Sequence, residues 1–255
     1  MNIVREKTLI TGQEMIADGI YDMTVRMPQA AATAKPGQFA ALYCHDGKRL
    51  LPRPISICQI DREAGTLRFV YRIAGAGTGE FSGLAAGDSI TVMGPLGNGF
   101  PLLPDKAILI GGGIGIPPML ALAEALDAEK TVALGYRDQA FLKEEFEPYG
   151  RVVVASEDGS MGTRGTVLDA IREQDVQGSV IYACGPMPML KAVAAYAEEK
   201  EIPAYISLEE RMACGIGACL GCICPTKNKN EHTNVNNSRI CKDGPVFNAG
   251  EVVFS

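Results

Sequence analysis

Four cysteines near the C-terminus have the types and spacing that most directly imply chemistry in this sequence. Cys214, Cys219 and Cys222 lie in one run, with four residues between the first two and two residues between the last two. Cys241 follows after a polar stretch. The four-then-two spacing of thiolates is typical of a [2Fe-2S] cluster site. Because such a cluster passes one electron at a time, the spacing predicts a chain that carries electrons between two other centres.

Zinc binding and a non-metal role are the alternatives for these cysteines. Structural zinc sites usually pair cysteines two residues apart, whereas the first gap here is four residues. Gly215, Gly217 and Gly221 would let the backbone wrap closely around a cluster and direct N–H groups at its sulfurs. Cys224 is a fifth candidate, but its distance from Cys219 does not fit the pattern. We expect Cys224 to be ordinary packing.

A second group of motifs could bind a flavin. The run Arg53-Pro54-Ile55-Ser56 offers a guanidinium for a diphosphate and a hydroxyl for the edge of a flavin ring. Val70-Tyr71-Arg72 follows, and the Gly77-Thr78 turn can present N–H groups to phosphate. Each motif alone also fits a solvated strand charge or a plain turn. Their occurrence together favours a flavin site.

Two glycine-containing turns, each at the end of a predicted strand, could bind a dinucleotide. The first is Gly111-Gly112-Gly113-Ile114-Gly115, followed by Pro117 at a helix start, although it lacks the strict Rossmann fingerprint. The second is Cys184-Gly185-Pro186, which also opens a helix. Because ligands of open α/β sheets lie beyond the strand ends, both turns can face one cleft. Tight packing without a ligand is the alternative for the glycines, as is simple core packing for Cys184.

The elements that must position these residues fall into three parts. Short apolar runs separated by turn residues indicate an antiparallel barrel or sandwich without a long helix in residues 1–101. Strands and helices then alternate, which indicates a parallel-sheet α/β domain over residues 102–207. Residues 208–255 are rich in Cys and Gly and form the predicted cluster segment. We therefore expect a multidomain chain, all-β and then α/β, with a metal-organised end.

The expected strands of the first part are residues 19–26, 38–44, 54–60, 66–73 and 89–93. In the second part we expect strands at 107–110, 131–136, 151–155 and 179–183, with helices at 117–126 and 187–200.

Composition excludes several classes of protein. The 255 residues carry a net charge of -6, which disfavours binding to nucleic acid. Hydrophobic residues make up 47% of the chain, and no apolar run approaches the ~18 residues of a membrane helix. The N-terminus lacks the apolar core of a secretion signal, so we expect a cytoplasmic protein whose eight cysteines are ligands or buried side chains rather than disulfides.

In this order, the motifs resemble the ferredoxin reductase superfamily over the whole chain. The supporting runs are Arg53-Pro-Ile-Ser, Gly75-Ala-Gly-Thr, Gly94-Pro-Leu-Gly-Asn-Gly-Phe, the Gly111 turn and Cys184-Gly-Pro-Met. The C-terminal cysteines, closed by Cys241-Lys-Asp-Gly-Pro-Val-Phe, resemble those of the electron transfer subunits of class 1B dihydroorotate dehydrogenases. Residues 225–239 depart from the family pattern as a polar, Asn-containing stretch, which we interpret as a solvated loop.

The resemblance implies the following site residues. FAD would be held by Arg53, Pro54, Ile55, Ser56, Val70, Tyr71, Arg72, Gly77 and Thr78. The cluster ligands would be Cys214, Cys219, Cys222 and Cys241. We assign NAD to Gly111, Gly112, Gly113, Gly115, Cys184, Gly185 and Pro186.

The resemblance also implies the activity. Electrons would pass between an FMN-containing dihydroorotate dehydrogenase catalytic subunit and NAD+ through the cluster and FAD, in pyrimidine biosynthesis and within a heterotetramer of two copies of each subunit. We expect no catalytic residue for dihydroorotate in this chain, because His45 and His232 lie in polar turns. Asp138 and Glu157-Asp158 follow strands of the nucleotide domain and favour NAD over NADP, unless they are ordinary turn carboxylates.

Two other functions compete with this one. The first keeps the chemistry and changes the partner: an NAD(P)H-linked iron-sulfur flavoprotein that serves ferredoxin, sulfur or another redox protein. The second is a zinc-clamped interaction or sensor module without catalysis. Bound flavin and a [2Fe-2S] cluster would colour the protein, whereas zinc would not.

Overall fold

The N-terminal part of the chain is a closed antiparallel barrel with strand order β1-β2-β5-β4-β3-β6. The computed structural model describes residues 3–230 and 234–254. The barrel strands are β1 (Val4–Ala17), β2 (Ile20–Arg26), β3 (Phe39–Tyr43), β4 (Arg53–Asp61), β5 (Thr66–Arg72) and β6 (Ser89–Leu96). The predicted barrel class is confirmed, and the helices α1 (Pro28–Thr33) and α2 (Ala76–Phe81) are six residues each.

Alternating inward residues build the barrel core. On β2, Met23 and Val25 point inward, and they meet Leu67 and Phe69 of β5 in one buried cluster. We did not predict β1 from the sequence, although it is the longest strand of the barrel. Its first half contains three consecutive charged residues, Arg5, Glu6 and Lys7, so it lacks the continuous apolar run that marked the other strands.

The central part is a seven-stranded sheet in the order β10-β9-β8-β7-β11-β12-β15, in which β15 is Val246–Asn248 of the C-terminal segment. The parallel strands are β7 (Ala107–Gly112), β8 (Lys130–Tyr136), β9 (Arg151–Ser156), β10 (Thr163–Arg164), β11 (Val180–Cys184) and β12 (Ala204–Ser207). The helices are α3 (Pro117–Ala125), α4 (Lys143–Phe146), α5 (Val167–Glu173) and α6 (Met187–Glu199). This confirms the predicted parallel α/β class, although β10, β12, α4 and α5 were not predicted individually.

Helices cover both faces of this sheet. Ile108 and Ile110 of β7 share a core with Leu190 and Val193 of α6. Leu109, between the two isoleucines, points to the other face and packs in the core that contains α3. Strands buried on both faces read as continuous apolar runs, which is why the sequence signalled them clearly.

The barrel and the sheet are joined by a shared core and an ion-pair network. Met119 of α3 belongs to the same buried cluster as Cys58 and Val70 of the barrel. Arg68 of β5 binds Asp22 of β2 at 2.6 Å and Glu145 of α4 at 2.9 Å. Asp22 of the barrel and Glu145 of the α/β part therefore bind the same Arg68 guanidinium, which holds the barrel against the sheet.

The C-terminal segment attaches to both other parts. It contains β13 (Ile223–Pro225), β14 (Asn237–Arg239) and β15 (Val246–Asn248), and β15 pairs antiparallel with β12 as the last strand of the sheet. On the barrel side, the Asn98 side chain donates to the Val246 carbonyl at 2.8 Å and accepts from the Val246 N–H at 2.9 Å. Within the described ranges, no helix is long and apolar enough to cross a membrane.

Candidate functional site

The predicted flavin residues converge on one cavity of about 320 Å³ at the mouth of the barrel. β4, β5 and α2 supply its barrel wall. The predicted residues that line it are Pro54, Ile55, Ser56, Val70, Tyr71, Arg72 and Thr78. Residues from β4, β5 and α2, which are separate in the sequence, therefore line one cavity, as a common flavin site requires.

Arg53 and Gly77, the other two predicted flavin residues, lie against each other beside this cavity. A methyl group on Gly77 would lie 1.9 Å from the Arg53 Nε, so a side chain at position 77 would displace the guanidinium from this place. Thr78 shapes the turn, because its hydroxyl accepts from the Ala74 N–H at 2.9 Å and donates to the Gly75 carbonyl at 3.2 Å. A cation and a compact turn are thus placed together, as a diphosphate would need.

The opposite wall of the flavin cavity comes from elements that the sequence motifs did not reveal. It includes Phe39 and Ile114, together with residues from the start and end of the C-terminal segment: Leu208, Glu209, Glu210, Met212 and Pro245. Met212 precedes Cys214 by two residues, and Pro245 follows Cys241 by four. The cavity therefore borders the cysteine segment directly.

A second cavity, of about 460 Å³, lies at the carboxyl ends of the sheet strands. Gly112, Gly113 and Pro186 of the two predicted dinucleotide turns line it, together with Tyr136 and Thr166 among others. Gly113 has φ +52° and open space beyond its Cα, so its backbone is accessible to a ligand. This is the edge at which ligands of open α/β sheets bind.

The remaining residues of the two turns hold the turns together and do not line the cavity. A methyl group on Gly115 would lie 2.4 Å from the Cys184 carbonyl oxygen, and one on Gly185 would lie 2.5 Å from the Met189 Cε. Gly111 packs against Ile116 in the same manner, with 3.0 Å to its Cα. Close packing of the first turn on the second is therefore one physical reason for glycine here.

Cys184 is buried, with 1% of its surface exposed. Burial raises the pKa of its thiol, the charge of Glu209 adds to this, and a hydrogen bond with Ser207 opposes it. The side chain is thus a neutral thiol in a packed position, and it lines neither cavity.

Arg72 borders both cavities. It is the last residue of β5 and is exposed, and it has no salt bridge to a carboxylate within the described residues. An unpaired guanidinium between two candidate nucleotide sites can bind a phosphate of either nucleotide.

Two of the three carboxylates predicted to favour NAD face the dinucleotide cavity. Asp138 and Glu157 line it, together with Arg137. The Asp158 carboxylate instead accepts hydrogen bonds from the Ser160 N–H at 3.0 Å and hydroxyl at 2.7 Å, which lower its pKa. Glu157 and Asp138 are therefore the groups available to a ribose diol.

The four predicted ligand cysteines approach one another in two pairs. Sulfur contacts join Cys214 with Cys219, and Cys222 with Cys241. Burial works to raise the pKa of Cys214, but the N–H groups of Ile216 and Cys219 outweigh it and lower that pKa to about 6. Burial and the neighbouring Cys222 raise the pKa of Cys241 to about 12. Crowded sulfurs of this kind are stabilised as thiolates by positively charged irons.

Backbone N–H groups are directed at these sulfurs. Gly217 N–H donates to the Cys241 Sγ at 3.1 Å, Ala218 N–H to the Cys214 Sγ at 3.3 Å, and Cys241 N–H to the Cys222 Sγ at 3.4 Å. Gly217 has φ +83°, a backbone conformation that a residue with a side chain rarely adopts. N–H groups around sulfur are the outer contacts that a cluster site requires.

The arrangement fits two irons better than one zinc ion. Two pairs of thiolates suit a two-iron cluster, which has two protein ligands on each iron. Cys224 is buried, and its pKa is raised by that burial to about 11, as expected of a packed thiol.

His45 lines neither cavity. It is exposed, and its backbone N–H donates to Glu80. His232 lies outside the described residues.

Comparison with known proteins agrees with the cysteine geometry. Residues 209–253 match a family model described as the iron-sulfur cluster binding domain of dihydroorotate dehydrogenase B. The dihydroorotate dehydrogenase B (NAD+) electron transfer subunit of Geobacillus kaustophilus is 41% identical, covering 99% of this chain and all of that one. The same subunit of Listeria monocytogenes is 45% identical, covering 94% of this chain and 95% of that one.

Solved structures show the same architecture. A structure described as an NADH-dependent reduced ferredoxin-NADP oxidoreductase has a TM-score of 0.88 at 29% identity, covering 98% of this chain and 90% of that one. The ferredoxin reductase of carbazole 1,9a-dioxygenase has a TM-score of 0.68 at 20% identity, covering 81% of this chain and 69% of that one. The second likeness concerns the fold alone.

Barrel, sheet and cysteine segment together define an iron-sulfur flavoprotein of the ferredoxin reductase type. Within that class, the chain belongs to the family of the electron transfer subunits of dihydroorotate dehydrogenase B (NAD+).

Proposed function

We propose that this chain carries electrons between an FMN-containing dihydroorotate dehydrogenase catalytic subunit and NAD+, using FAD and a [2Fe-2S] cluster, in pyrimidine biosynthesis. One observation carries the proposal: the flavin cavity shares Arg72 with the dinucleotide cavity and is lined by Met212 and Pro245 of the cysteine segment. The three sites are therefore contiguous, which electron transfer between them requires.

When bound, the flavin exchanges a hydride with the nicotinamide and single electrons with the cluster, chemistry that belongs to the cofactors themselves. The protein residues supply binding and orientation. Arg53 binds the FAD diphosphate, the Ser56 hydroxyl contacts the edge of the flavin ring, and Arg72 binds phosphate where the cavities meet. The Gly112-Gly113 backbone admits the nicotinamide dinucleotide, and Glu157 binds its ribose diol.

The cluster side of the molecule offers a surface for the catalytic subunit. Cys219 is exposed, and three large apolar side chains around it are exposed by about half: Ile216, Leu220 and Ile223. Apolar side chains beside an exposed ligand would be covered by a protein partner. In this proposal the partner docks there, two copies of each subunit form a heterotetramer, and the complex works in the cytoplasm.

Co-expression with the FMN-containing catalytic subunit tests this function. The two chains should co-purify with FAD, FMN and iron, and the complex should reduce NAD+ when dihydroorotate is added. The separate chain should still oxidise NADH with an artificial electron acceptor but should not oxidise dihydroorotate. A complex that fails to form, or that forms without coupling the two substrates, would refute the proposal.

A ferredoxin-linked reductase is the second candidate function. The solved structure with a TM-score of 0.88 is described as acting on reduced ferredoxin and NADP, which favours this alternative. NADPH-linked reduction of ferredoxin by the chain alone, without coupling to dihydroorotate, would decide for it.

A further inference from the structure

A third cavity, of about 430 Å³, lies at the amino-terminal ends of the sheet strands. Residues at or just before the starts of β7, β8 and β9 line it, together with the loop that follows α5. The first residue of β8, Lys130, lines this cavity, and the last, Tyr136, lines the dinucleotide cavity. At ~3.3 Å per residue, the strand between them covers about 20 Å. The third cavity is therefore separate from the dinucleotide cavity.

Three cations line this third cavity: Lys106, Lys130 and Arg151. The chain as a whole has a net charge of -6, so its composition does not account for positive charge gathered in one place. Glu129 and Asp175 also line the cavity, but both carboxylates are already engaged. Glu129 pairs with Lys106 at 2.6 Å, and Asp175 accepts a hydrogen bond at 2.6 Å from the side chain of the glutamine two residues later.

Lys130 and Arg151 are the cations whose charge is not neutralised by an ion pair. Within the described part of the chain, neither forms a salt bridge to a carboxylate. Burial lowers the pKa of Lys130, and the more distant charge of Asp127 opposes this. Arg151 pairs in register with Thr131, the residue next to Lys130, so the two cations lie on neighbouring strands. An anion between them would form charge-assisted hydrogen bonds.

The same two side chains are held in place before any ligand binds. A methyl group on Gly150 would lie 2.3 Å from the Lys130 carbonyl oxygen and 3.0 Å from its Cγ, so the backbone packs closely on the Lys130 stem. The Arg151 Nη2 donates to the Gln174 Oε1 at 3.1 Å and to the Gln174 carbonyl at 3.4 Å. Because these contacts already restrict both side chains, an anion would bind at a small cost in conformational entropy.

We propose that this cavity binds a small phosphate-bearing molecule, with its phosphate between Lys130 and Arg151. A guanidinium fork and a lysine ammonium are the usual side-chain partners of phosphate. The volume of about 430 Å³ lies in the range of small-molecule sites and leaves room for an organic group beside the phosphate. Ala128 and the half-buried Tyr149 supply an apolar wall for that group. The inference goes beyond the proposed function and does not depend on it.

The test uses phenyl phosphate and inorganic phosphate as probes. Full-length protein, loaded with FAD and freed of the excess, is titrated with each by isothermal titration calorimetry at constant ionic strength in chloride. Both should bind, and phenyl phosphate more tightly, because its ring can contact Tyr149. Lys130→Met and Arg151→Met should each weaken phenyl phosphate binding about tenfold, since a charged hydrogen-bond partner is lost. Lys130→Arg keeps the charge and should retain most of the affinity.

Two control variants locate the binding. Lys7→Met removes an exposed charge from β1 of the barrel and should bind phenyl phosphate like the wild type. Arg72→Ala should also bind it like the wild type, which separates this cavity from the dinucleotide cavity. Unfolding temperatures without ligand show whether each variant is folded, and the Arg151 variant alone carries the test if the Lys130 variant does not fold.

Three results would overturn the proposal. The first is a wild-type chain that binds neither probe at millimolar concentration. The second is equal affinity for phenyl phosphate in the folded Arg151 variant and the wild type, which would place the bound phosphate elsewhere. The third is an equal loss of affinity in the Lys7 variant, which would mean that net charge rather than this cavity attracts the probe.

Discussion

The dinucleotide cavity and the cysteine segment are held by different kinds of structure. The cavity lies at the end of a continuous parallel ladder from β9 through β8 and β7 to β11, and its two turns are packed on each other through glycines. The cysteine segment has strands of only three residues, and its sulfur-bearing loop is held by N–H groups directed at sulfur and by the Arg239–Asp243 pair at 3.0 Å.

The difference teaches where each site gets its stability. The sheet buries apolar side chains on both faces, so its cavity exists whether or not a ligand is bound. The loop from Cys214 to Cys222 buries little and brings four sulfurs together, which is unfavourable until metal binds. We therefore expect the cysteine segment to depend on its cofactor for folding, and the dinucleotide cavity to be independent of its ligand.

The largest expected effect is the loss of the cluster, which tests whether the cysteine segment depends on metal while the sheet does not. Cys222→Ser should abolish iron binding, because a buried thiolate that also accepts the Cys241 N–H is lost. Iron content and visible absorption measure this, and limited proteolysis should cut within residues 208–254 while the sheet resists. Cys224→Ser is the control and should retain iron. Iron retained by the Cys222 variant, or lost from the Cys224 variant, would refute the ligand assignment.

The next effect concerns the flavin cavity, which has one wall built by the barrel. Arg53→Ala should weaken FAD binding by about 10- to 100-fold, since a charged hydrogen-bonding partner of the diphosphate is lost. Equilibrium titration with FAD measures it. Arg26→Ala, which removes an exposed arginine from β2 of the same barrel, should have no effect. Equal flavin affinity in the Arg53 variant and the wild type would remove Arg53 from the site.

A smaller effect tests the residue between the two cavities. Arg72→Ala should raise the KM for NADH by about tenfold while the iron content stays at the wild-type level, because Arg72 borders the dinucleotide cavity and is not one of the predicted cluster ligands. Steady-state oxidation of NADH with an artificial acceptor measures the KM. If the KM is unchanged, the guanidinium does not contact the dinucleotide.

The smallest expected effect is a change in nucleotide preference at the dinucleotide cavity. Glu157→Gln should reduce the preference for NADH over NADPH by about fivefold, because a carboxylate that repels a 2'-phosphate becomes neutral. The ratio of kcat/KM for the two nucleotides measures it. Asp158→Asn is the control, since its carboxylate is already engaged by Ser160. A larger change in the Asp158 variant would reverse the assignment of the two carboxylates.

Much of the fold could be predicted because its strands differ strongly from their surroundings. The double-sided burial of β7 and β11 produces apolar runs, and the expected helices at 117–126 and 187–200 end within one residue of α3 and α6. β15 could not be predicted, because a three-residue run has no periodicity to detect. It nevertheless joins the predicted segment 208–255 to the sheet.

The sequence predicted the motifs of the candidate site but not the other residues that line its cavities. Arg53, Ser56 and Gly77 are recognisable because diphosphate and flavin recognition need particular groups at short spacing. Met212 and Pro245 carry no such signal, since a side chain that merely lines a cavity can be of many types. The different uses of Gly113 and Gly115, one open to the cavity and the other packed on Cys184, are likewise visible only in three dimensions.

The amino-acid sequence alone determined the chemistry of this protein: sulfur ligands, phosphate-binding groups and the order in which they occur, because these depend on residue type and local spacing. The tertiary structure decided that the three sites adjoin. Contacts between residues such as Phe39, Arg72 and Pro245 arise from how the barrel, sheet and cysteine segment pack, and packing over such separations along the chain leaves no local pattern.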